Sequence, residues 1–193
     1  MHHIYHTEGI ILGSKNFGEA EKYYNIFTKD LGMITAEARG VRNLRSKLRF
    51  TLSDFACVKL DLVQRKNIFR VTTASKLNVF ERVTKDSETL RIFTNIARLL
   101  KRLLPGTEPN EDLFKDLVSG LSILEKIENK EDLLSIEAIV VLRIIHNLGY
   151  IGANEVLENF IKSPYDESII FEASKKRTIM LSEINKALRE THL

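Results

Sequence analysis

The sequence predicts an α+β protein, with a small β-barrel over residues 1–80 followed by an all-helical domain over residues 81–193. Apolar residues alternate with a period of two as far as Leu77, whereas beyond Phe80 they recur with the helical period of about 3.6 residues. Turn-forming residues divide the first part into short segments. We therefore place the boundary between the two domains at residues 79–84.

Five strands are predicted for the first domain: Tyr5–Gly13, Glu21–Thr28, Met33–Arg39, 56–63 and Ile68–Leu77. In the third of these strands, Ile34, Ala36 and Ala38 alternate with polar side chains, as expected of a sheet with one solvated face. Five consecutive short strands are the number found in a small Greek-key barrel such as the OB-fold. A flat five-stranded sheet is the structural alternative.

The second domain is predicted to contain five helices and a small hairpin. The helices are one around Leu90–Leu104 that stops at Pro105, one that begins after the capping residue Asn110, one over Glu131–Leu148, one over Glu155–Ile161, and one from Ser182. Gly149 is the expected C-terminal cap of the central, apolar helix. Residues 169–181 are predicted to form the hairpin, because the polar run Ser174–Arg177 separates two short segments with strand character.

Charge is unevenly distributed between the two domains. Residues 1–80 carry 13 Lys and Arg against 7 Asp and Glu, whereas residues 81–193 carry 16 against 19. A basic first domain joined to a mildly acidic second domain suggests two surfaces with different partners. Cys57 is the single cysteine. It is expected to be a buried, unreactive thiol in a reducing compartment, and with no signal-peptide core or membrane span in the sequence we predict a cytoplasmic protein.

The segment between the third and fourth predicted strands is the strongest functional signal. Five cations fall within eleven positions with no carboxylate among them: Arg39, Arg42, Arg45, Lys47 and Arg49. An exposed loop of this kind predicts a polyanionic partner such as nucleic acid, and an ordinary solvated loop is the alternative. Four further cations extend the predicted surface, namely Lys15, Lys22, Lys66 and Arg70.

Two other groups of residues are candidates for binding. Aromatic side chains beside a basic groove can stack on exposed bases, and the candidates are Phe17, Tyr23, Tyr24, Phe50, Phe55 and Phe69, of which about half are expected to face the core. On the first long helix, Arg91, Arg98 and Arg102 fall within about 40° of arc. They are candidates for a second phosphate contact or for an acidic segment of a protein partner, and a plain solvated face is the alternative.

Recognisable catalytic and metal-binding patterns are missing from the sequence. It contains no HExxH, GxSxG, GxxxxGK[ST] or GxGxxG pattern, and three of its five histidines crowd the N-terminus. We therefore expect a binding protein with no catalytic residues, cofactor or metal.

Several short elements resemble the bacterial DNA repair family RecO. They are Glu8–Lys22, Phe27–Arg42 and Ser46–Arg49 in the first domain, and Leu104-Pro105, Glu108–Asn110, Leu113-Phe114, Leu142-Arg143 and Leu148–Tyr150 in the second. The resemblance implies an OB-fold followed by a helical domain. It also implies a mediator that binds single- and double-stranded DNA, anneals complementary strands, and works with RecR and single-strand-binding protein to load the RecA recombinase. By position, Arg39, Arg42, Lys47 and Arg49 match the basic loop of that family, and Arg45 falls in its variable part.

One departure from the family pattern concerns a zinc module. Many members carry four cysteines after the Leu148–Tyr150 element, beginning about where residues 153–160 stand here, and this sequence has none of them. We expect the predicted hairpin at 169–181 to keep the shape of the module without metal. The rival functions are a protein-interaction adaptor that reaches DNA only through a partner, and an RNA-directed OB protein.

Overall fold

A computed structural model describes residues 3–190, except for Asn67, Val79, Glu81, Val83, Thr84, Pro105 and the side chain of Asn78. Most of the predicted boundary at 79–84 and the predicted helix stop at Pro105 therefore lie outside the described residues. The chain divides into two compact units. The barrel unit comprises residues 1–80 and 104–114, and the helical unit comprises residues 81–103 and 115–193.

Residues 104–114 belong to the barrel unit, which a single boundary at 79–84 does not anticipate. The backbone N–H of Met33 donates a hydrogen bond to the carbonyl oxygen of Gly106 over 3.1 Å. Gly32 has a φ of +65°, and a Cβ atom there would lie 2.4 Å from the carbonyl oxygen of Glu108. This close approach requires glycine and holds 104–114 against the turn before the third strand.

Five strands form a closed barrel with the order β1-β2-β3-β5-β4. Their bounds are Ile4–Phe17 for β1, Glu21–Thr28 for β2, Gly32–Ala38 for β3, Cys57–Arg65 for β4 and Ile68–Asn78 for β5. The β3–β5 pair is parallel and the other four pairs, including β1–β4, are antiparallel. The predicted OB-type barrel is thus confirmed, and the flat sheet is excluded because β4 closes onto β1.

The barrel core follows the predicted period of two. Alternate residues of each strand are buried inside, including Ile11, Tyr24, Ile26, Ile34, Ala36, Val58, Leu60, Leu62, Phe69 and Val71. A β-bulge interrupts this alternation in β1, because Ile11 pairs with Ile26 whereas Gly13 pairs with Asn25. A one-residue shift in register moves every later side chain of a strand to its other face. Beyond the bulge, Lys15 and Phe17 therefore lie on the outer face of the barrel.

A short helix, α1 Leu48–Thr51, lies between β3 and β4, and five helices follow β5. These are α2 Ser87–Leu103, α3 Glu111–Leu124, α4 Lys130–Asn147, α5 Glu158–Lys162 and α6 Glu167–Glu190. The predicted caps are confirmed. The Oδ1 atom of Asn110 accepts a hydrogen bond from the N–H of Leu113 over 3.0 Å, and Gly149 follows α4 with a φ of +79°.

The hairpin predicted at 169–181 is wrong, because α6 runs without interruption through that range. The buried residues of α6 recur at helical spacing: Ile169, Ile170, Ala173, Met180, Ile184 and Ala187. The polar run Ser174–Arg177 lies within the helix rather than in a turn, and Lys176 pairs with Glu172 one turn earlier over 2.8 Å. The start of α6 is marked by Asp166, whose Oδ1 accepts from the N–H of Ile169 over 2.9 Å.

A buried arginine joins the elements of the helical unit. The side chain of Arg143 on α4 is 7% exposed, and its Nη1 lies 2.9 Å from Oδ1 of Asp116 on α3. Its Nε donates to the carbonyl oxygen of Phe160 over 2.8 Å, and its Nη2 donates to the carbonyl oxygen of Ser163. Tyr165 completes the cluster, since its ring centroid lies 4.1 Å from the guanidinium carbon and its hydroxyl donates to Oδ2 of Asp116 over 3.0 Å.

Among the described residues, no helix combines the length and the apolar character that crossing a membrane would need.

Candidate nucleic-acid interface

The cationic loop, residues 39–49, is fastened to the barrel at both ends and exposed between them. Val41 and, just beyond the loop, Leu52 are 1% and 2% exposed within the barrel core. All five cations between Arg39 and Arg49 are exposed. The two apolar anchors therefore present the charges outward from a loop whose ends are held in place.

Two of the five cations have partners within the barrel unit. The Nε of Arg39 donates to Oε1 of Glu37 over 3.0 Å, and the Nη1 of Arg42 donates to the carbonyl oxygen of Gly18 over 3.0 Å. Arg39 is therefore paired with a carboxylate that lies outside the loop, whereas the sequence pattern covered only the loop itself. The pattern therefore missed Glu37, which lies near the end of β3.

The other three loop cations, Arg45, Lys47 and Arg49, make no ion pair with any described residue. The guanidinium carbon of Arg49 lies 5.9 Å from the ring centroid of Phe50. Phe50 is 69% exposed and Leu44 is 84% exposed. Leu44 is not among the residues predicted from the sequence, although an apolar residue within a charged run is a visible signal. The outer part of the loop thus combines free positive charge with exposed apolar surface.

A row of side chains crosses four strands on the outer face of the barrel. Lys15 pairs with Tyr23, Tyr23 pairs with Glu37, and Glu37 pairs with Arg70. Their strand neighbours Tyr24, Ala36 and Phe69 are buried in the core, so this row, Lys15-Tyr23-Glu37-Arg70, faces outward. We call it the outer row.

The carboxylate of Glu37 binds two arginines of this surface. Its side chain is 10% exposed, and its Oε2 accepts from the Nε of Arg70 over 3.2 Å while its Oε1 accepts from Arg39. Burial by itself would raise the pKa of Glu37, but the hydrogen bonds and charges of Arg39 and Arg70 outweigh burial and hold that pKa below its usual value. The carboxylate is therefore ionised at neutral pH and fixes both guanidinium groups.

Two of the predicted extensions of the surface do not join the outer row. Lys22 pairs with Ala38, which is fully buried, so Lys22 lies on the opposite face of β2 from Tyr23. Lys66 is exposed in the turn after β4, where it adopts a φ of +48°. Of the predicted extensions, Lys15 and Arg70 lie in the outer row, in which Glu37 binds both Arg70 and Arg39.

The aromatic candidates divide between core and surface. Tyr24 and Phe69 are buried in the barrel core, and Phe55 is half-buried. Phe17 is 52% exposed, and its ring centroid lies 4.7 Å from that of half-buried Tyr23. The exposed candidates are therefore Phe50 on the cationic loop and Phe17 on the outer face, where half-buried Tyr23 lies beside it.

The three arginines predicted on α2 are not equivalent. Arg91 is bound to two carboxylates, with its Nη2 3.1 Å from Oε2 of Glu137 and its Nε 3.2 Å from Oε2 of Glu88. Arg98 and Arg102 are exposed and form no ion pair within the described part of the chain. The positive charge left free on this helix is therefore concentrated in its last two turns.

No group of three or more His, Cys, Asp or Glu side chains within the described residues could hold a metal ion. His146 on α4 has a structural contact instead, with Nδ1 2.9 Å from the carbonyl oxygen of Ile151.

We predict that Cys57 reacts with iodoacetamide far more slowly in the native protein than in urea. Cys57 is 3% exposed, and burial, with a smaller effect from the Glu8 carboxylate, raises the pKa of its thiol to about 11. At neutral pH almost no thiolate is present, and the thiolate is the nucleophile. Alkylation followed by mass spectrometry at increasing urea concentration checks this. Native alkylation as fast as that of a free cysteine peptide would contradict it.

The closed barrel and its cationic loop define an OB-fold protein with a positively charged loop on its surface. Residues 1–80 match a family model described as "Recombination protein O N terminal". The chain is 32% identical over 147 residues to DNA repair protein RecO of Rubrobacter xylanophilus, an alignment covering 76% of this chain and 58% of that protein. It is 29% identical to DNA repair protein RecO of Heliobacterium modesticaldum, covering 76% of this chain and 52% of that protein. The chain thus resembles RecO proteins over about three quarters of its length, and it spans a little over half the length of these two relatives.

Proposed function

We propose that this protein is a non-enzymatic DNA-binding mediator of recombinational DNA repair. In this proposal it binds single- and double-stranded DNA and anneals complementary strands. The observation that carries the proposal is the group of exposed loop cations that have no carboxylate partner among the described residues, Arg45, Lys47 and Arg49, in the same loop as Arg39. The names of the relatives, DNA repair protein RecO, support the same role.

Phosphate neutralisation accounts for both activities without a catalytic residue. Each Lys or Arg that contacts a phosphate releases condensed counterions, which supplies affinity independent of sequence. Two single strands repel each other through their phosphates. A surface that screens both of them lowers this repulsion and raises their local concentration, so that base pairing itself completes the annealing. Such a role places the protein in the cytoplasm, in keeping with its single buried thiol.

The protein partners belong to the same proposal. The mediator works with RecR and single-strand-binding protein and acts indirectly on the RecA filament. On α2 of the helical unit, exposed Arg98 and Arg102, with Arg91 held by its two glutamates, offer a basic surface for an acidic segment of a partner.

We expect direct binding to a labelled single-stranded oligonucleotide, weakening steeply as salt is raised. With three to five phosphates neutralised, the slope of log affinity against log salt concentration is about −2 to −3.5. Fluorescence anisotropy at several salt concentrations measures it, and RNA of equal sequence tests the preference for DNA. A protein-interaction adaptor would show no direct binding at any salt concentration, and this result would refute the proposal.

A further inference from the structure

An aromatic pair, with one ring exposed and the other half-buried, lies on the outer face of the barrel. The rings of Phe17, near the end of β1, and Tyr23, on β2, have centroids 4.7 Å apart and planes inclined by 44°. Phe17 is 52% exposed and Tyr23 is half-buried. Large apolar side chains exposed in a cluster are unfavourable in water unless something covers them in the functional complex.

The position of this pair follows from the bulge in β1. Without the register shift between Ile11 and Gly13, Phe17 would lie on the same face of β1 as Ile11, which is buried in the core. The bulge places Phe17 on the face that carries Tyr23. Bulges are often found where a strand must redirect a side chain beside a functional site.

Cations surround the aromatic pair on several sides. Lys15 pairs directly with Tyr23 across the strands, and Arg42 is bound to the carbonyl oxygen of Gly18, the residue after Phe17. On the other side, Tyr23 pairs with Glu37, which holds Arg39 and Arg70.

Besides Glu19 in the turn that joins β1 to β2, the other carboxylate beside the pair is that of Glu21, opposite Phe17. Its Oε2 accepts a hydrogen bond from the N–H of Ala20 over 3.2 Å. The surroundings therefore combine two aromatic rings with an excess of positive charge.

We infer that Phe17 and Tyr23 form a stacking site for the unpaired bases of single-stranded DNA. This inference rests on the proposed function and names the form of DNA that the outer face recognises. An aromatic ring can stack on any base, and neighbouring cations bind the phosphates on either side of that base. The occupant is nucleic acid rather than a protein segment because the charge around the rings is that of a phosphate-binding surface.

The stacking site distinguishes single strands from duplexes. In a duplex each base is covered by its neighbours above and below, so its face is not available to a protein ring. The cationic loop contacts phosphates of either form, whereas Phe17 and Tyr23 contact bases only in a single strand. When two strands anneal, their bases leave the aromatic pair, and the duplex is held by phosphate contacts alone. The site therefore favours release of the annealed product.

The test uses Phe17→Ala/Tyr23→Ala in the full chain, with Phe17→Leu/Tyr23→Leu as a second variant that retains apolar bulk. Affinity is measured for three probes of equal length: a single strand, the duplex of the same sequence, and an abasic single strand. We expect the single-strand affinity to fall by about tenfold or more. The affinities for the duplex and for the abasic strand should change by less than about twofold, because no charge is removed. For the same reason, the slope of log affinity against log salt concentration should stay nearly the same.

Phe171→Ala is the matched control. Phe171 is a 62% exposed phenylalanine on α6 with the Nζ of Lys175 3.9 Å from its ring centroid, so it is an equally exposed ring that also lies near positive charge. This variant is expected to bind all three probes like the unmodified protein.

Two results would overturn the inference and leave the proposed function standing. One is an unchanged single-strand affinity in both double variants. The other is an equal loss on normal and abasic strands, which would show that the rings do not act through bases. If the unmodified protein binds none of the probes, the inference and the proposed function fail together. Far-ultraviolet circular dichroism verifies that each variant is folded.

Discussion

Reversing three cations of the loop, with Arg42→Glu, Lys47→Glu and Arg49→Glu in one variant, is expected to weaken single-stranded DNA binding by about a hundredfold at 0.1 M salt. Each phosphate contact on a single strand contributes about 0.7 to the salt slope, so the slope should fall by about 2. Repulsion by the new carboxylates adds to the loss. Fluorescence anisotropy across salt concentrations measures both quantities.

The same variant should unfold at nearly the same temperature as the unmodified protein. All three side chains are exposed, and the Arg42 bond to the carbonyl oxygen of Gly18 is a surface contact. Surface substitutions away from buried networks usually change stability by less than about 0.5 kcal/mol. Differential scanning calorimetry therefore separates a loss of binding from a loss of fold.

A charge-matched control distinguishes the loop from a general effect of net charge. Lys126, Lys186 and Arg189 are exposed cations of the helical unit, and reversing them to glutamate changes the net charge equally. This control should retain most of the affinity. Equal losses in the two triple variants would contradict a specific role for the loop.

Arg143→Met is expected to destabilise the helical unit by about 3–5 kcal/mol, the cost of breaking a buried ion pair from one side. The substitution removes the partner of the Asp116 carboxylate and the donors to the carbonyl groups of Phe160 and Ser163. Methionine fills a similar volume, so the loss arises from unsatisfied polar groups rather than from a cavity. Urea unfolding followed by circular dichroism measures the free energy of unfolding.

Two further variants show whether that loss of stability comes from the buried ion pair. Arg91→Met makes the same change at an arginine whose side chain is 42% exposed, and exposed ion pairs contribute about 1 kcal/mol or less. The double variant Arg143→Met/Asp116→Leu removes the stranded carboxylate and should recover part of the stability. If Arg143→Met costs no more than Arg91→Met, the cluster does not hold the helical unit together.

Much of the fold could be predicted because its signals are local. The alternation of Ile34, Ala36 and Ala38 with polar residues marked a strand, and β2 has the predicted bounds, Glu21–Thr28. Asn110 and Gly149 satisfy backbone groups at helix ends within a few residues of themselves, so they were predictable as caps. The hairpin failed because a polar run of four residues is compatible with either a turn or the exposed face of a helix.

Only the part of the candidate site that depends on local sequence could be predicted. The charges of the cationic loop are adjacent in sequence, and its exposure follows from that charge density. The pairing of Glu37 with Arg70 joins residues 33 positions apart, through the parallel contact of β3 with β5. Arg143 lies in an apolar helix, and its partners come from α3 and from the segment after α4.

The sequence by itself determined the composition of the proposed interface: which residues carry charge or a ring, and which strands they belong to. Only the tertiary structure decided which of them share a surface. Side chains of a strand point to alternate faces, so a single bulge in β1 turns Lys15 and Phe17 outward, while the register of β2 leaves Lys22 on the opposite face from Tyr23. Register depends on partner strands far away in the chain, and no local pattern contains that information.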